Sequence, residues 1–88
     1  MPDTTLRRVA WTGDPMQVGI GFRMTKRKGS RTLTATCTLF SHELGHELRL
    51  DVCGLMSRTK VCRSSDEIVD TCEQWRSTML AAGWAESR

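Results

Sequence analysis

Apolar and polar residues alternate along this chain with two different periods, and the change falls close to Arg63. In "TLTATCTLF", Leu33, Ala35, Cys37 and Leu39 alternate with Thr32, Thr34, Thr36 and Thr38. In "HELRLDV", Leu48, Leu50 and Val52 alternate with Glu47, Arg49 and Asp51. A period of two sends successive side chains to opposite faces of a pleated strand, and β-branched threonine suits that surface. "LMSRTKVCR" continues as a weaker strand with Leu55 and Val61 as inward candidates, and Gly54 is a natural turn before it. Beyond this point the period becomes helical. Ser64 and Glu67 are spaced as a capping box, and acids fill the first turn. Ile68, Val69, Cys72, Trp75, Met79 and Leu80 then recur along one stripe. Gly83 supplies a left-handed C-cap, with Trp84 as its hydrophobic partner.

The pattern predicts an α+β domain, with an antiparallel three- to four-stranded β-meander packed against one C-terminal α-helix. The strands are expected within residues 17–63 and the helix over 65–82. "QVGIGFRMT" reads as an edge strand, with "KRKGS" as the hairpin loop leading into Thr32. Residues 1–16 read as a loosely ordered segment, rich in Gly and Pro at its end. Trp11 in that segment either caps the core or anchors a contact, and core packing is the expected use. A chain of 88 residues makes one small domain.

Composition narrows the class. An apolar fraction of 39% with 26% charged residues belongs to an ordinary folded domain rather than a disordered one. No apolar run approaches the roughly 20 residues that span a bilayer. "MPDTTLRRVAWTGDPM" lacks the apolar core of a secretory signal, so a cytoplasmic location is expected. Cys37, Cys53, Cys62 and Cys72 contain no C-x-x-C pair, which argues against a finger or ribbon zinc site. Reduced, structural thiols are expected, although four cysteines allow three disulfide connectivities.

One stretch carries chemistry. His42-Glu43-Leu44-Gly45-His46 fits H-E-x-x-H and resembles the zincin metallopeptidases over those five residues. The resemblance implies His42 and His46 as zinc ligands and Glu43 as general base, since residues four apart on a helix share a face. A helix over 40–52 can be drawn, because Phe40, Leu44, Leu48 and Val52 are four apart. Against it stands the strict alternation on both sides. The third ligand is also missing: Arg49 and Val52 stand where the extended motif needs Gly and His. Of the downstream acids, Glu67 already fits as a capping residue and only Glu73 is left. The expected structure is therefore a hairpin with Leu44-Gly45 at its tip, the two histidines flanking it, and neither zinc nor another cofactor.

A second resemblance covers Gly45 to Trp84. An "ELRL" strand, a short turn, an "R-x-x-VCR" strand and a closing helix with "W…M…GW" resemble a type of short, uncharacterised bacterial protein. It implies a fold pattern without an established activity. An aromatic residue is common in that group where His46 stands here, which implies that the second histidine belongs to no shared site.

The remaining function classes are binding roles. Residues 1–31 hold seven Lys/Arg against two Asp, and residues 32–88 hold six against eight acids. Arg7, Arg8, Arg23, Lys26, Arg27, Lys28 and Arg31 would attract phosphates, which makes a nucleic-acid-binding module an alternative. A protein partner or a second copy is the preferred expectation, reached through an exposed strand edge or the open sheet face. That face should carry Thr32, Thr34, Thr36, Thr38, Glu47, Arg49 and Asp51, with Phe40 and Cys53 as apolar exceptions. No membrane partner is expected, and neither a nucleophile constellation nor a phosphate-binding glycine loop is present.

Overall fold

The computed structural model describes residues 14–87. Four strands follow one another as an antiparallel meander: β1 (Gln17–Lys28), β2 (Arg31–His42), β3 (Gly45–Val52) and β4 (Leu55–Cys62). Helix α1 (Ser65–Ala81) comes next, and a two-residue strand β5 (Ala85–Glu86) closes the chain. The sheet order is β4-β3-β2-β1-β5, so β5 lies on the outer side of β1. Trp11, Arg7, Arg8 and most of the segment 1–16 lie outside the described residues.

The register explains the core. Cys37 stands opposite Phe22 on one side and Leu50 on the other, and Ala35 is flanked in the same way by Met24 and Val52. Directly opposed residues share a face, so the alternation in β2 and β3 merges into a single apolar surface. Helix α1 covers it with Trp75 and Met79, and Phe22, Met24, Ala35, Cys37, Leu48, Leu50 and Cys62 are buried beneath. Each large apolar side chain so buried contributes about 1.5–3 kcal/mol.

The helix ends match their sequence signals. Ser64 Oγ accepts the Glu67 N–H at 3.1 Å, and Glu67 Oε1 reaches back to accept the Arg63 N–H at 2.7 Å. At the other end the Trp84 N–H donates to the Met79 carbonyl and the Gly83 N–H to the Leu80 carbonyl, the paired bonds of a Schellman cap. The stripe itself is narrower than its periodicity predicts. Thr71, Trp75 and Met79 are buried with Ile68 and Cys72 beside them, while Val69 is 64% and Leu80 40% exposed. One helix on a small sheet has too little surface beneath it to cover both flanks of the stripe.

Two further expectations need correction. Lys26, Arg27 and Lys28 belong to β1 and not to a loop; they pair with Leu33, Thr32 and Arg31, and only Gly29-Ser30 turns. In β4, Leu55 is 75% exposed and Val61 stands opposite Glu47 on the uncovered face. A register shift at Leu50/Asp51 leaves Ser57 unpaired and reverses the alternation beyond it, which puts Val61 outward. Leu55, opposite Val52, keeps the helix side but lies uncovered at the start of the strand. The inward residue is Cys62. Finally, β5 is a strand that two residues could not announce. Among the described residues, no helix is long and apolar enough to cross a membrane.

Candidate functional site

The H-E-x-x-H stretch is a tight hairpin. His42 closes β2, Gly45 opens β3, and Glu43-Leu44 form the two-residue loop, one position earlier than the expected tip. His42 pairs with Gly45, and His46 pairs with Ser41. Adjacent pairs along a ladder face opposite sides, so the two imidazoles project from opposite faces of the sheet. His42 Nδ1 accepts the Leu44 N–H at 3.0 Å and so stiffens the turn. His46 lies on the helix side, opposite Cys62. The shared face that a two-histidine ligand pair requires is not formed here. Glu43 sits exposed at the tip. Among the described residues, no group of three His, Cys, Asp or Glu side chains is placed to hold a metal ion.

The basic cluster is divided by strand alternation. Arg23 and Arg27 face the open side, opposite Thr36 and Thr32. Lys26 faces the helix side, where its Nζ donates to the Ala82 carbonyl at 2.7 Å and complements the negative end of α1. Lys28 and Arg31 oppose each other at the hairpin end. The open face otherwise holds the threonine ladder and one aromatic platform. Arg49 lies over the Phe40 ring at 4.2 Å from its centroid and donates to Glu47 at 2.9 Å. Cys53 belongs to the β3–β4 turn, with φ of 53°.

Cys37, Cys53, Cys62 and Cys72 are all free thiols. Burial, with the neighbouring Cys72 and Cys62 thiols, pushes the Cys37 thiol up to about 12. Burial also raises Cys72. Such groups are poor nucleophiles, because the thiolate is the reactive form. Cys37, Cys62 and Cys72 pack as core, and Cys53 is exposed in its turn.

The features least visible in the sequence lie at the β4 edge. β4 ends the sheet, and no other described strand pairs with its outer side across Leu55–Cys62. Beside it, between the edge and the C-terminal end of α1, is a half-open cleft of about 160 Å³. Leu50, Val52, Trp75, Met79 and Trp84 form its apolar walls, and Arg58 is the charged residue at its margin. The strand periodicity marks Leu50 and Val52 as inward, and the cap signature brings Trp84 back over the helix. The cleft arises only when β3, β4, α1 and the residues after it converge. No family model, no curated protein and no solved structure matches this chain.

Proposed function

We propose that this protein is a small non-enzymatic binding module of the cytoplasm, which acts by taking an extended segment of a protein partner onto β4. The observation that carries this reading is the uncovered β4 edge. Along these eight residues, alternate backbone N–H and C=O groups point away from β3 without a strand partner, which is how strand addition gains its affinity. The opposite edge is less available, since β5 pairs with β1 at Met24 and Thr25, and two register shifts interrupt β1 before Phe22. Four free thiols accord with a reducing compartment.

Charge favours a different polypeptide over a second copy. In a two-fold antiparallel pairing of β4 with itself, residues of like parity oppose one another. In the two registers that overlap β4 most fully, centred on Arg58 or Thr59, Arg58 meets Arg58 or Lys60, and like charges directly opposite are destabilising. The same cations guard the edge against indiscriminate stacking. A peptidase reading lacks support because His42 and His46 face opposite sides. A nucleic-acid reading is weakened because Lys26 is engaged with the helix and the other cations are split between two faces.

The test is site-specific photo-crosslinking in the cell of origin, followed by reconstitution. A benzophenone side chain at Thr59 on β4 is expected to capture a partner that the same group at Thr34 on the open face does not. The purified partner should then slow amide exchange across Leu55–Cys62. Capture from Thr34 alone, or protection confined to β1 and β2, would refute the proposal.

A further inference from the structure

We infer that the cleft between β4 and the C-terminal end of α1 is the selectivity pocket of that edge, and that it takes a bulky apolar side chain flanked by a carboxylate two residues along the partner strand. The inference rests on the strand-addition reading and deepens it.

Size sets the first condition. An apolar cavity of roughly 150 Å³ accommodates benzene, so the cleft of about 160 Å³ fits one Phe, Leu or Met side chain. Its walls are chemically consistent with that occupant. Trp75, Trp84 and Met79 offer flat and polarisable surface, and Leu50 and Val52 close the floor.

Arg58 sets the second. Among the described residues, Arg49 is paired with Glu47, Lys60 with Glu67, and Arg76 with Glu73 and Glu86. Arg58 has no such carboxylate, although it stands on the helix side opposite Leu50 and lines the cleft. An unpaired guanidinium at an apolar rim is suited to a carboxylate, which it can hold through two parallel hydrogen bonds.

Position joins the two. Ser57 and Arg58 line the cleft from the edge strand itself, at the register shift opposite Leu50/Asp51. A strand added to β4 places every second side chain on the helix side, roughly 6.8 Å apart. One such side chain reaches the cleft and the next reaches the Arg58 guanidinium. The occupant is therefore an acidic, extended segment of another protein. A second copy of β4 would bring Arg58 and Lys60 instead of a carboxylate.

The experiment selects displayed random octapeptides on the full chain and measures the enriched ones as synthetic peptides. Enrichment of Phe, Leu or Met with Asp or Glu two positions away is expected. Thr78→Trp and Ser57→Trp, which plug the cleft from exposed positions, should each weaken binding by about tenfold or more, and so should Arg58→Gln. Thermal melting checks that each variant is folded. N-methylation of alternate peptide amides should abolish binding as well.

The two readings separate cleanly. Peptides that shift β4 amide resonances, lack the apolar–acid pair and tolerate both plugging variants within about twofold would overturn the pocket while leaving strand addition intact. Peptides that carry the pair and enter the cleft, yet ignore N-methylation and leave β4 amides unmoved, would overturn strand addition. Tight binding of free phenylpropionate, at the level of the best peptide, would identify a small-molecule site and overturn the inference. Enrichment of nothing would overturn both.

Discussion

A side chain on Gly45 would collide with the Cys62 carbonyl oxygen, and the residue's φ of 142° lies where L-amino acids are strained. The β2–β3 hairpin and the end of β4 meet at this point with no room for a methyl group. Gly45→Ala is expected to lower stability by about 2–4 kcal/mol, read as a shift in the urea midpoint. Cys53 shows the reverse case. It holds a φ of 53° in a two-residue turn with Gly54, a conformation that Asn adopts more readily. Cys53→Asn should stabilise the protein by about 0.5–1 kcal/mol in the same measurement. The Cys37 thiol is raised from the ordinary 9.0 to about 12, so the folded state holds its proton after the unfolded chain has lost it. Its stabilising effect is complete below pH 9.0 and is lost as pH rises toward 12. Unfolding midpoints measured above pH 9.0 should fall more steeply for the native chain than for Cys37→Ala.

Elements were legible where one signal ran unopposed. Thr32 to Leu39 and Glu47 to Val52 kept a strict period of two, and Ser64, Glu67, Gly83 and Trp84 marked both ends of the helix. The hairpin at His42–His46 followed from those flanking strands rather than from its own letters. What was hidden had a physical cause in each case. Lys26, Arg27 and Lys28 look like loop residues because nothing in them is apolar, yet they are carried into β1 by pairing with β2. The shift at Leu50/Asp51 exchanged inward and outward residues in β4 beyond Ser57, and one extra residue leaves no signature in composition. β5 is held from outside: the Ser87 N–H donates to the Arg23 carbonyl at 2.8 Å, and Arg76 Nε reaches Glu86 from the helix at 2.9 Å. The Arg76 guanidinium holds the Glu86 carboxyl below the usual range, so this clip is complete above that range and fails as pH falls through it. The exchange protection of the Ser87 amide should therefore drop in acid, and Glu86→Gln should already lack it at neutral pH.

At the scale of the whole molecule, one sheet presents two unlike faces and two unlike edges. The helix side carries the core. Among the described residues, the open side carries the threonine ladder, the Arg49–Phe40 stack, and only Arg23 and Arg27 as strand cations outside an ion pair with a neighbouring acid. Two such charges release few counterions. A labelled polythymidine strand is expected to bind weakly, with a log–log salt slope of about −1.4, whereas a slope near −4 would require the divided cluster to act as one surface. The cleft beside β4 was illegible in the sequence because its walls come from four separated stretches, joined only by packing. Its composition also gives the chain a built-in reporter. Two of its three tryptophans, Trp75 and Trp84, stand in the walls of that one cleft, with Trp11 as the remaining emitter. Anything entering the cleft displaces water from those two indoles and shifts their emission, so occupancy can be followed by fluorescence in the unmodified protein.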